Sequence, residues 1–111
     1  MTRYIKLVTT KAVPGADDQL NDWYDRVHMP EVLALDGYVS GQRFVLLGPE
    51  PSAPHYLAVY EIESDNIEAT LATMSLGAQA MEMSEALDLQ AVRSTVYKAL
   101  GERRLAERPP Q

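Results

Sequence analysis

The stretch Asp22-Trp23-Tyr24-Asp25-Arg26-Val27-His28-Met29-Pro30-Glu31 decides how this chain is read. Leu20, Trp23, Tyr24 and Val27 fall at i, i+3, i+4 and i+7, which places one apolar stripe on an amphipathic helix. Asp17 or Asp18 can cap its start, and with Asp22 they load its first turns with negative charge, which suits a helix N-terminus. Pro30 disfavours helical geometry at Met29, so the helix is expected to stop or kink beside His28. Glu31 to Leu35 can add a further turn before Asp36-Gly37. These ten residues hold the only tryptophan and one of the two histidines, with a tyrosine and several carboxylates. A small-molecule site is expected here.

Outward from this helix the chain alternates strand and helix signals. Residues 3–10 are rich in β-branched and aromatic residues and contain no Gly or Pro, a strand ended by Pro14-Gly15. Tyr38-Val39 and Phe44-Val45-Leu46-Leu47 give a second strand, and Gly41 within it signals a bulge or a close backbone approach. Residues 48–54, with three prolines, form a surface loop, and His55 to Ile62 forms a third strand antiparallel to the second. Asp65 followed by Glu68 has capping-box spacing ahead of a second helix, striped by Ile67, Leu71 and Met74 and ending near Gly77. Residues 78–87 suit either more helix or a mobile cover, and Leu89 to Leu100 reads as a last long strand.

The order is βαββαβ, a ferredoxin-like α+β domain over residues 1–100 with a loose polar tail at 101–111. Two helices can cover only one face of the four-stranded antiparallel sheet. Yet both strand registers carry apolar residues: Tyr4 and Val8 against Ile5 and Leu7, Phe44 and Leu46 against Val45 and Leu47. A second apolar face implies an interface, and face-to-face pairing into a homodimer would bury it.

Composition narrows the function classes. At 111 residues, one domain can bury about two-thirds of its unfolded surface in a core. The absence of cysteine removes disulfides, thiolate nucleophiles and thiolate metal sites, and fits a reducing compartment. The net charge of −6 is concentrated in residues 1–100, where 7 Lys+Arg and 14 Asp+Glu give −7. Such an acidic body repels phosphate backbones, so no nucleic-acid partner is expected. No apolar run approaches membrane-spanning length and the start lacks a signal-like core, so the expectation is cytoplasmic, with no membrane partner.

With these features in hand, the sequence resembles the dimeric α/β-barrel superfamily, and more closely its EthD-like branch. The matching residues are the aromatic first helix ending in His28-Met29-Pro30, the Gly37-Tyr38 pair that follows, and Arg43-Phe44 on the next strand. The resemblance covers about residues 1–100. It implies a homodimeric barrel and a place in catabolic or secondary metabolism, among cyclases, isomerases, oxygenases and haem-degrading enzymes. One departure bears on cofactors: the haem-degrading relatives carry an axial histidine on the second helix, whereas residues 65–87 contain none, and Met74, Met81 and Met83 are poor substitutes. No cofactor is expected.

The candidate chemistry centres on His28, whose imidazole titrates near neutral pH. Tyr24 lies one turn back and Asp25 at i−3 can orient the ring; the competing reading makes His28 a helix C-cap. Arg43 occupies an apolar strand register, where it either binds a ligand oxyanion or pairs with a carboxylate such as Asp36 or Glu31. Trp23 reads as core packing or a cavity wall. Tyr56, Tyr60 and Tyr97 are candidate hydrogen-bond donors to a substrate, each equally able to serve the core. His28, Glu31, Asp25 and His55 could be metal ligands in principle, but Pro30 breaks the register between the first two, and no metal site is expected. These residues suit an enzyme that moves a proton on a hydrophobic, oxygenated, aromatic or polyketide-like substrate, without a cofactor. Isomerase, cyclase, dehydratase (lyase) and cofactor-free monooxygenase activities all fit. The alternative is a dimeric binding or accessory protein for a pathway intermediate.

Overall fold

The computed structural model describes residues 1–48 and 54–109. Residues 49–53 of the expected proline-rich loop, and the last two of the tail, lie outside them. Strand β1 (Thr2–Thr10) is followed by helix α1 (Asp17–Trp23), a π-helical turn (Tyr24–His28) and helix α2 (Met29–Leu33). Then come strands β2 (Tyr38–Val45) and β3 (Tyr56–Ser64), helix α3 (Ile67–Ala78), a 3-10 turn (Leu89–Ala91) and strand β4 (Arg93–Lys98). The sheet order is β2-β3-β1-β4, antiparallel throughout, as the βαββαβ reading requires.

Strand alternation sorts side chains between two faces. Tyr4, Lys6, Val8 and Thr10 of β1 pair across to Ile62, Tyr60, Ala58 and Tyr56 of β3. This face lies under the helices, and Leu20, Trp23, Tyr24, Val32, Tyr38, Ala58, Tyr60 and Ile62 are buried against it. The opposite face carries Ile5, Leu7, Leu57, Val59, Phe44 and Tyr97, with an exposed Arg3–Glu61 ion pair at 3.4 Å. Ile5, Phe44 and Tyr97 are among its exposed large hydrophobic residues. Among the described residues, no helix is long and apolar enough to cross a membrane.

Four local expectations need correction. Pro30 does not end the helix. The Met29 N–H reaches back five residues to the Tyr24 carbonyl, and the chain continues helically to Leu33. A turn widened by one residue moves the carbonyl four positions back away from the proline ring, which relieves the clash that normally breaks a helix. Asn66, not Asp65, caps α3, its side-chain oxygen accepting from the Ala69 N–H at 3.1 Å. The last strand is shorter than 89–100, because the Asp88 side chain accepts from the Gln90 N–H and caps the 3-10 turn.

The fourth concerns residues 79–88, which are neither helix nor free. The Val13 N–H donates to the Ala86 carbonyl at 2.8 Å and the Asp88 N–H to the Lys11 carbonyl at 3.0 Å. Ala86 and Leu87 are buried. The segment covers the helix–sheet cleft and is tied down at Glu82, Ala86 and Asp88. Gly41, by contrast, performs the role read for it: a Cβ there would collide with Met29 Sδ and come 3.1 Å from the Tyr60 ring, so one of these side chains would have to move.

Candidate functional site

A cavity of about 270 Å³ lies between the helices and the covered sheet face. Trp23, Tyr24, His28 and Val32 come from the helical segment, Lys6, Val8, Thr10 and Tyr60 from the sheet. Met74 and Ala78 of α3, with Met83 and Leu87 of the cover, close it, and Leu89, Val92 and Ser94 line the end near β4. The wall is mainly apolar with few polar groups, which is the usual make-up of a small-molecule pocket.

The π-helical turn sets the geometry of the helical wall. Trp23 is its N-terminal neighbour and His28 its last residue. Their rings stack at 4.8 Å with 17° between planes, an overlap of residues five apart. Tyr24 meets His28 edge-on at 4.9 Å and 87°. Trp23 is held in turn by a hydrogen bond from Nε1 to the Glu82 carbonyl at 2.9 Å. The Glu82 N–H donates to Glu31 Oε2 at 3.2 Å, so the cover is tied to both α1 and α2.

His28 is therefore no C-cap. The helix runs on past it, and its buried Nδ1 has no hydrogen-bond partner among the described residues. Burial holds its pKa below the ordinary value; the Glu31 carboxylate pulls it up, and the Lys6 ammonium pushes it down again. The imidazole is neutral near pH 7. Asp25 does not orient it: that carboxylate faces Arg43, with Nη1 to Oδ1 at 3.5 Å, while Arg26 pairs with Asp22 at 3.1 Å.

Tyr24 and Tyr60 share one hydrogen bond between their hydroxyls at 3.1 Å, both side chains buried. Burial raises both pKa values, so both phenols stay protonated and act as donors. If Tyr60 donates within the pair, the Tyr24 proton is free for a ligand oxygen. Arg43 lies behind this pair. Its Cζ sits 4.5 Å from the centre of the Tyr24 ring and 5.2 Å from that of Tyr56. The Arg43 side chain is 13% exposed and Asp25 66%, so the ion pair is largely solvated at its acidic end and the cation rests on the two rings. The expected pairing with Asp36 or Glu31 is replaced by Asp25.

The remaining sequence candidates separate. Trp23 and Tyr60 line the cavity; Tyr56 does not, and its hydroxyl donates to Asp17, the first residue of α1. Tyr97 lies on the other side of the sheet, because its partner in β1 is Ile5 and not Lys6. His55 stands beside Tyr56 at the far edge, with ring centres 6.3 Å apart. No group of three residues able to hold a metal ion occurs among the described residues. The residue that sequence reading missed is Lys6. Its signal was available: a charge in the middle of the apolar register Tyr4, Val8.

No protein-family model and no curated relative matches the chain. Solved structures do. A candidate monooxygenase from Shewanella loihica superposes with a TM-score of 0.63 at 13% identity, over 92% of this chain and 99% of that one. The haem degrader MhuD from Mycobacterium tuberculosis, with two haems bound in its active site, gives 0.61 at 16% identity, over 91% and 99%. An EthD family protein from Bacillus halodurans gives 0.60 at 13%, over 94% and 100%. The chain has a ferredoxin-like α+β fold. At these identities the likeness establishes that architecture, the one expected from the resemblance, and leaves the chemistry to the residues of the cavity.

Proposed function

We propose that this protein is a small-molecule enzyme that uses His28 for proton transfer on a hydrophobic, oxygenated substrate of aromatic or polyketide-like character. The observation that carries the reading is a neutral imidazole that lines an apolar cavity beside the buried hydroxyl pair of Tyr24 and Tyr60. A neutral His28 takes a proton from a carbon next to a carbonyl, or from a phenol. The oxygen that becomes negative then accepts a hydrogen bond from Tyr24, which burial keeps protonated. Arg43, over the back of the Tyr24 ring, favours negative charge on that side. Trp23 and Tyr60 present flat surfaces to a planar substrate. Isomerisation, cyclisation, dehydration and cofactor-free oxygenation all begin with this step.

Haem has no part in the reading, since α3 offers Met74 to the cavity and no histidine. The reading includes a homodimer formed through the uncovered sheet face, supported by the exposed Ile5, Phe44 and Tyr97 there. The reading also includes a place in catabolic or secondary metabolism, as the EthD-like resemblance implies.

The test is turnover by wild type and His28→Gln across a panel of enolisable and phenolic substrates. Loss of about 10²–10⁴-fold in kcat with the fold intact is expected. Full turnover by His28→Gln would overturn the proton-transfer role. Ligand binding by wild type without any product would instead make the protein a binding or accessory protein.

A further inference from the structure

Lys6 is the one residue of charged type on the cavity wall that the proton-transfer reading leaves without a task. Strand alternation turns it toward the helices with Val8 and Thr10, and it lines the cavity opposite His28, close enough for each charge to be felt. Among the described residues, no Asp or Glu lines that cavity. The salt bridges and hydrogen bonds of the described residues give the ammonium no carboxylate partner. Burial alone lowers its pKa, with no compensating negative charge to hold it up. A cation half out of water in an apolar chamber is costly unless something negative arrives.

We propose that Lys6 is an anion-binding subsite, so that the ligand of this cavity is a hydrophobic molecule bearing a carboxylate or an ionised enol or phenol oxygen. The anionic group would sit against the Lys6 ammonium, and the apolar body between Trp23, Met74 and Leu87. Its negative charge, set beside His28, offsets the repulsion from Lys6 and raises the proton affinity of the imidazole when it has to accept a proton. This deepens the proton-transfer reading and rests on the same cavity being a ligand site.

Three probes that share one ring and chain length test it: phenylpropanoate, phenylpropanol and phenylpropylammonium. Binding is measured near neutral pH by calorimetry and by the fluorescence of Trp23, the only tryptophan, which stands in the wall. The acid is expected to bind wild type about tenfold or more tighter than the alcohol, with the ammonium weakest. Lys6→Met should abolish the preference for the acid and leave alcohol binding in place, which also reports an intact cavity. If that variant does not fold, the wild-type comparison decides. Equal binding of acid and alcohol, or an acid preference that survives Lys6→Met, overturns the anion subsite while the cavity stands as a ligand site. Binding of none of the three removes both.

Discussion

The hydroxyl pair of Tyr24 and Tyr60 gives a prediction that separates scaffold from chemistry. Each phenol is buried, and the 3.1 Å bond between them is the hydrogen bond each makes. Replacing one tyrosine by phenylalanine removes that bond and strands the other hydroxyl, at a cost of about 1–3 kcal/mol. Replacing both removes the stranded group as well, so the double variant should lose only about 1 kcal/mol, the net worth of one bond. The two single costs therefore exceed the double by about 1–2 kcal/mol or more, a coupling well above the ~0.5 kcal/mol scatter of independent sites. Urea unfolding of the four proteins, followed by Trp23 fluorescence, reads it. In thermal unfolding each kcal/mol corresponds to about 4–8 °C. Additive costs would refute the reasoning, because they would mean that cavity water hydrates whichever hydroxyl is left. Turnover gives the second axis. Tyr24→Phe should lose activity and Tyr60→Phe should retain most of it, since only Tyr24 is assigned to the substrate oxygen.

Three further outcomes follow from the same geometry. His28 has a folded-state pKa below that of the unfolded chain, so the folded protein binds fewer protons as pH falls through about 6.5. Its contribution to stability is complete above that value and declines as pH drops through the folded pKa; His28→Gln should flatten this acid limb in urea titrations at several pH values. Gly41→Ala places a methyl 2.4 Å from Met29 Sδ and 3.1 Å from the buried Tyr60 ring, and should cost about 1–3 kcal/mol. Met29→Ala in the same chain should restore part of that loss, and unchanged stability in the single variant would refute the close approach. Light scattering should give twice the chain mass at micromolar concentration and the single mass for Phe44→Glu; a stable wild-type monomer would contradict pairing through the uncovered face.

What could be read in the sequence depended on whether a local rule had one outcome or two. The stripe Leu20, Trp23, Tyr24, Val27 admits only a helix against a core, and three of these residues are buried. The helix ends and strand ends were ambiguous for specific reasons. Asp65 and Asn66 are both good caps one residue apart, and hydrogen bonding selects Asn66. Leu89 and Val92 have strand composition, yet they belong to the cavity wall, Leu89 within the turn that Asp88 caps and Val92 just after it. Tyr97 could not be placed because both registers of β1 are apolar; only the pairing of Tyr97 with Ile5 decides which face it joins.

Three features that matter for function share one property. A proline inside a helix, a lysine in an apolar strand register and a histidine nitrogen with no partner among the described residues each break a rule of regular structure or packing. Hydrophobic periodicity cannot signal the π-helical turn, because the buried stripe Leu20, Trp23 and Tyr24 ends where the turn begins, and the extra residue then turns His28 onto Trp23. Nor can alternation justify Lys6, because a half-buried ammonium gains nothing from the fold itself. Such departures persist where something other than packing makes use of them. All three converge on one apolar chamber, His28 and Lys6 facing into it and Pro30 just beyond the turn that aims His28. Other buried polar atoms without a partner among the described residues, the Tyr38 hydroxyl and Arg43 Nε and Nη2 among them, lie outside this chamber, so it is the meeting of His28 and Lys6 in one apolar space that favours a ligand there.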